Sequence, residues 1–200
     1  MINNLILAST SSYRASLLRQ LGLEFKQIDP EIKESEQPGE SPLDCAIRLA
    51  RLKSQAGAEF SDTQDNALIL GSDQVAYMGS TIFPKPGDFE SAFDQLTRCS
   101  GCWVSFSTAV CLVTSLGDVA ASGVDTFKIK YRQLTPEAIK HYLITDQPFD
   151  CAGSIKAEGL GVTLIQETSG NDVNTLYGLP LILLVDLLNS AGFDIINSIN

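Results

Sequence analysis

Two unbroken apolar runs restrict what this chain can become: LILA at 5–8 and the opening of ALILGSDQVAY at Ala67. Each adjoins a hydroxyl- or glycine-containing stretch and reads as a buried strand, the second running through the whole of ALILGSDQVAY at 67–77. Helix-start signals stand between and after them. Ser11 or Ser12 can cap a helix carrying Leu17, Leu18 and Leu21, with Gly22 as its stop. SPLD at 41–44 places a Ser cap before Pro and Asp and predicts a helix to about Gly57. Asp88 caps a third helix that stops near Gly101, and Thr135-Pro136 opens a fourth holding Ile139, Tyr142 and Leu143.

The remaining segments fill in the sheet. MGST suggests a turn into a short strand at 81–83, and 103–114 with 119–132 form an antiparallel pair. GVTLI at 161–165 reads as a strand, and GLPLILLVDLLNSAG as a closing helix ended at Gly192. Residues 29–40 are acidic, punctuated by Pro and Gly, and loop-like. With no repeat or linker, the expectation is one domain over 1–200, of the α/β class, with a mixed central sheet flanked by helices.

Composition narrows the function. A net charge of −10 argues against a nucleic-acid polymer or an anionic membrane as partner, since both need a basic surface. An anionic substrate would need local cations or a metal to reverse that field. No stretch approaches the ~18 apolar residues of a membrane span. The N-terminal MINNLILAST lacks a basic region, so no signal peptide is read there. The five cysteines are odd in number and scattered, which fits reduced thiols and a cytoplasmic location. Cys99 and Cys102 form a C-x-x-C, but with no second pair they read as buried or half-buried thiols rather than a redox or zinc site.

Several residues stand out chemically. Ser9, Thr10, Ser11, Ser12 and Arg14 surround a helix N-terminus, where unpaired N–H groups and the helix dipole favour an anion; a Ser-rich cap with a solvated Arg is the alternative. Lys53 continues the small-apolar stripe of Ala46 and Ala50, so it either snorkels out or meets an anion in a cleft. Asp73 follows the apolar run at 67–70 almost directly, as a catalytic carboxylate at a strand end or as the start of a turn. Lys85 lies between two prolines, Glu34 in the acidic loop, and Glu158 in a Gly-bracketed turn. His141 is the sole histidine and reads as a surface residue, which makes a Ser-His-Asp or Cys-His triad improbable. A carboxylate must then serve as base, and metal-assisted attack by water is the natural reaction class.

The stretches LILASTSSYRASLL, IKE, ARLKSQ, GSDQVA, PKPGDFESAFDQL, FDCAGSIKAEGLG and NDVNTLYGLPL occur in the order and approximate spacing of the Maf family of nucleotide pyrophosphatases. The chain resembles that family over nearly its whole length, and GSDQV with SIKAEG resembles its 7-methyl-GTP-hydrolysing subgroup. The resemblance implies an elongated fold of two lobes around an active-site cleft, often dimeric. It implies hydrolysis of a nucleoside triphosphate to the monophosphate and diphosphate with a divalent metal, magnesium or manganese. Asp73 falls on the catalytic proton acceptor, and Ser9, Arg14, Lys53 and Lys85 on phosphate-binding positions. Glu34, with Asp73, falls on the metal side, and Tyr13, Gln74 and Glu158 on the positions that set base preference. Ser12, Ala15, Pro84 and Tyr13 depart from the usual Pro, Arg, Gly and Trp.

The expected activity is therefore hydrolysis of 7-methyl-GTP, attacked at the α-phosphorus by water that Asp73 deprotonates. A cationic N7-methylated guanine stacks well on Tyr13, while Glu158 accepts from its ring N–H and amine. Read as buried, Glu158 would discriminate by ~2 to 5 kcal/mol. Two alternatives stand beside this: a same-fold pyrophosphatase for UTP, dTTP or other modified nucleotides, and a nucleotide-binding regulator of cell division with little turnover.

Overall fold

The computed structural model describes residues 4–60 and 66–198. Its centre is a seven-stranded mixed sheet in the order β2-β1-β3-β5-β6-β7, with β4 paired to β3 alone. The strands are β1 (Asn4–Ala8), β2 (Lys26–Ile28), β3 (Ala67–Met78), β4 (Thr81–Ile82), β5 (Trp103–Thr114), β6 (Val119–Tyr131) and β7 (Ile165–Ser169). β2, β1 and β3 run parallel, whereas β3, β5, β6 and β7 are successively antiparallel. β3 is thus the strand at which the sheet changes sense.

The unbroken apolar runs follow from burial on both faces. On β1, Leu5 and Leu7 pack with α1 (Ser12–Gln20) and α5 (Leu181–Ser190), while Ile6 and Ala8 pack under α2 (Pro42–Ala58). β3 divides the same way, Leu68 and Leu70 to one face and Ala67 and Ile69 to the other. A third core lies at the far end of the long strands. There Ala76, Phe106, Phe127, Ile129 and Tyr131 meet α3 (Phe89–Cys99) and α4 (Pro136–Asp146). At ~3.3 Å per residue the three long strands each span about 40 Å, which gives two packed lobes joined by one sheet.

The helix caps form as their sequences dictate. Ser11, Ser41, Asp88 and Thr135 each accept the backbone N–H three residues on, which settles the first cap on Ser11. α5 lacks a cap from Pro180; the Asp172 carboxylate accepts Ile182 N instead, at 2.9 Å.

Three expectations change. GVTLI is mostly a short 3-10 turn, Leu160–Leu164, and the strand begins only at Ile165. Its β-branched residues suit a strand, but Gly159 and Gly161 both donate to the Lys156 carbonyl and curl the backbone before pairing starts. β2 was not foreseen, because a three-residue edge strand with two exposed side chains carries no apolar pattern. Asp73 lies not at a strand end but inside β3, opposite Ala109. The last β3 residue paired to β1 is Leu70, so Asp73 stands just past the end of its parallel neighbour.

The C-x-x-C thiols are free, Cys99 buried and Cys102 half-buried, and His141 is exposed. No described helix is long and apolar enough to cross a membrane.

α2 packs closely on β3 at Gly71. A Cβ there would sit 2.2 Å from the Ala50 carbonyl oxygen and 2.5 Å from Ser54 N, both backbone atoms that cannot swing aside. Gly71→Ala is therefore expected to lower stability by about 3 kcal/mol, read as a lower urea midpoint at unchanged slope.

Candidate active-site cleft

β1 ends at Ala8 and the chain turns through Ser9 and Thr10 into α1, so the helix N-terminus opens where the strand stops. Ser9 is buried; its hydroxyl oxygen accepts from Ser11 N at 3.2 Å and from Arg14 Nη1 at 3.4 Å. Arg14 Nε donates to the Gly178 carbonyl at 2.8 Å, across 164 residues of sequence. Burial pulls the Arg14 guanidinium down, against the opposing pull of Asp73 and Glu34; the group stays a cation at any working pH.

The question left open for Lys53 is answered by burial. Only 3% of it is exposed, and its ammonium sits between two carboxylates, 2.7 Å from Asp73 Oδ1 and 2.6 Å from Glu34 Oε1. Burial raises the Asp73 carboxyl above the usual range, more than Lys53 and Arg14 lower it. For Glu34 burial also opposes charge, but the Lys53 ammonium, its hydrogen bond, Lys85 and Arg14 together prevail and hold the carboxyl low. The two acids are thereby set apart: Asp73 is the readier proton acceptor, Glu34 the persistent anion.

Glu34 reaches Lys53 because its loop is tied to α2. Arg48 grips Glu40 with Nε at 2.6 Å and Nη2 at 2.7 Å, and Nη2 also donates to the Ser35 carbonyl at 3.0 Å. Such a two-pronged pair is geometrically specific. It holds the Glu40 carboxyl down at about 2.

All nine candidate residues line a single cleft of about 850 Å³. Ser9, Arg14, Lys53, Asp73, Glu34 and the exposed Lys85 belong to its cationic part. Tyr13 and Glu158 line it as well, close to Asp150 and Cys151. Burial first, then Cys151, Glu158 and Asp150, push the Tyr13 hydroxyl up to about 12, so it stays protonated.

One sequence expectation needs correction here. Glu158 is exposed, not buried, so its discriminating penalty appears only when a ligand covers it. Gln74 is already engaged: Nε2 donates to Thr108 Oγ1 at 3.1 Å and to the carbonyls of Thr175 and Leu176 at 2.6 and 3.1 Å. Because carbonyls can only accept, the amide cannot be flipped, and only its oxygen is left to meet a ligand. Of the departures from the family pattern, Ser12 and Pro84 line the cleft, whereas Ala15 is buried in the core beside α5.

The sequence reading missed Gly178, Asp150 and Cys151. NDVNTLYGLPL held the first signal: Asp172 accepts from Asn174 N and Ile182 N, and Thr175 donates to Asp125, which fixes the segment so that Gly178 meets Arg14.

The family profile described as Maf-like protein matches residues 4–191. The chain is 46% identical over 192 residues to a protein of Nitrosococcus oceani named 7-methyl-GTP pyrophosphatase, covering 96% of this chain and 95% of that one. It is 45% identical to a protein of the same name from Pseudomonas putida, covering 94% of this chain and 96% of that one. Among solved structures, the Ham1 protein of Staphylococcus aureus matches at TM-score 0.44 and 15% identity, over 65% of this chain and 72% of that one. A dITP/XTP pyrophosphatase of Mycobacterium abscessus matches at TM-score 0.40 and 16% identity, over 66% and 75%.

The Glu40 geometry carries a pH signature. A carboxyl whose folded value falls from 4.5 to about 2 stabilises the fold at all pH above its unfolded value. That stability is lost as pH falls from about 4.5 toward 2. Glu40→Gln should thus cost about 1 kcal/mol at pH 7 and nothing near pH 2, checked by urea midpoints along the pH range.

Proposed function

Because the chain belongs to the Maf-like protein family, we propose that it hydrolyses 7-methyl-GTP to 7-methyl-GMP and diphosphate. The observation that carries the reading is the meeting of Lys53, Asp73 and Glu34 at one point of a cleft that also holds Tyr13 and Glu158. The names of the relatives in Nitrosococcus oceani and Pseudomonas putida support the choice of nucleotide.

In this reading the triphosphate lies against Arg14, Lys53 and Lys85, with the α1 N-terminus and Ser9 as further donors. These groups neutralise charge on the phosphate oxygens as the transition state forms. Asp73 orients a water and takes its proton. The water oxygen bonds to the α-phosphorus, the bond from that phosphorus to the bridging oxygen breaks, and diphosphate leaves with the electron pair. Burial favours this role, since a carboxyl raised above the usual range is a stronger base near neutral pH.

The donor set fits a hard divalent cation. Glu34 and Asp73 offer carboxylate oxygens to a shared cationic partner, Lys53. Among the described residues there is no cluster of three or more acidic, His or Cys ligands. Magnesium is commonly held by one or two carboxylates and the substrate's own phosphates. When bound, the cation would supply Lewis-acid polarisation of the phosphate oxygens.

At the other part of the cleft, the Tyr13 ring offers a face to the positively charged N7-methylated guanine. The Glu158 carboxylate accepts from its ring N–H and exocyclic amine, and the Gln74 oxygen adds a third acceptor. Uracil and thymine would set carbonyl oxygen against Glu158. The free thiols agree with a cytoplasmic enzyme.

A turnover screen with 7-methyl-GTP, GTP, UTP and dTTP, with magnesium or manganese, tests the reading: 7-methyl-GTP should be hydrolysed fastest, with diphosphate as product. Asp73→Asn should reduce turnover by about 10³-fold while nucleotide binding, measured calorimetrically, survives. Glu158→Gln should narrow the gap between 7-methyl-GTP and UTP by about tenfold. A ranking unmoved by that substitution excludes base reading by Glu158.

A further inference from the structure

Glu158 stands on a turn that belongs to no helix or strand, so something else must fix where its carboxylate points. The turn itself is held through Lys156. The Lys156 backbone N–H donates to the Tyr142 hydroxyl oxygen on α4, at 2.9 Å. The Lys156 carbonyl accepts from both Gly159 N and Gly161 N, at 3.1 Å each. Its Nζ donates to the Asp146 carbonyl at 2.8 Å and the Gln147 carbonyl at 3.3 Å.

Those last two carbonyls close the C-terminal end of α4, where Gln147 turns left-handed at φ 45°. Helix-end carbonyls lack partners within the helix and sit at the negative pole of its dipole, so an ammonium is favoured there. The turn is drawn tightly around Lys156: a Cβ on Gly161 would fall 2.4 Å from the Lys156 carbonyl oxygen. Glu158 occupies the loop closed by these bonds, two residues past Lys156 and one before Gly159. Lys156 does not line the cleft, unlike Glu158. Its ammonium faces α4, apart from the cations assigned to the phosphates.

We infer that Lys156 is a positioning residue for base selection, which clamps the 156–161 turn to the end of α4 and so aims the Glu158 carboxylate into the cleft. The inference rests on the proposed reading of 7-methyl-GTP as substrate. It differs from a general structural role, because it predicts a change in substrate ranking and not only in stability.

The test uses the full chain with magnesium, measuring kcat/KM for 7-methyl-GTP and UTP together with the thermal midpoint. Lys156→Met keeps the length of the side chain but removes the charge and the donor. It should lower the 7-methyl-GTP to UTP ratio by about tenfold, mostly through 7-methyl-GTP, and Lys156→Arg should restore most of that ratio. In a Glu158→Gln background, Lys156→Met should change the ratio little, since the two act through one contact. Should Lys156→Met fail to fold, Tyr142→Phe, which removes the acceptor of the Lys156 N–H, must lower the ratio in the same direction. Equal loss on both nucleotides, or losses that simply add in the double variant, would overturn the inference. A wild-type chain without preference for 7-methyl-GTP overturns the functional reading and this inference with it. A wild-type preference that Lys156→Met leaves intact overturns the inference alone.

Discussion

A single buried ammonium organises the site. Lys53 is an almost fully enclosed cation, and such a group is tolerated only with close opposite charge. Asp73 and Glu34 supply it, one from the middle of the sheet and one from a long loop. Removing either acid would leave a buried charge with one partner fewer, and removing Lys53 would set two carboxylates against each other. The triad therefore ties α2, β3 and the 29–40 loop into one electrostatic unit. The two acids also draw further cations near, Arg14 beside both and Lys85 beside Glu34, in a chain whose net charge is −10.

The sheet makes that meeting possible. β1 ends while β3 continues, so Asp73 stands past its parallel neighbour yet inside a strand held by β5. A catalytic group on a strand is more rigid than one on a loop. Gly71, two residues before it, lets α2 approach β3 closely enough for Lys53 to reach the carboxylate. Glu158 has the opposite setting. Glu158 is exposed on a turn whose Lys156 is hydrogen-bonded to α4 rather than to the sheet. In the proposed reading the proton acceptor is thus held in the sheet, and the base-reading carboxylate on a loop tied to one helix.

Gln74 ties β3 to the C-terminal segment. Its nitrogen bolts the 175–176 backbone to β3, and the same segment delivers the Gly178 carbonyl to Arg14. Its position in the cleft and its hold on the C-terminal segment are consequences of one fixed amide orientation.

Much of this was legible before any coordinates. The caps at Ser41, Asp88 and Thr135, the antiparallel pair β5 and β6, and the oddity of a lysine on an apolar stripe are all short-range signals. They arise from backbone capping and from periodicity over a few residues, which a linear chain displays directly. The family resemblance gathered the same residues into one reaction. What stayed hidden was partnership. No local pattern says that Lys53 will meet Glu34 as well as Asp73, that Arg14 will find a carbonyl 164 residues away, or that Glu158 will stand in solvent. Those facts depend on strand order and on which helix packs over which face, and burial across the whole sheet decides both. The sequence determined the elements and the chemical groups they carry; only the tertiary structure decided which groups share a cleft, because that convergence is set by long-range packing rather than by any neighbour in the chain.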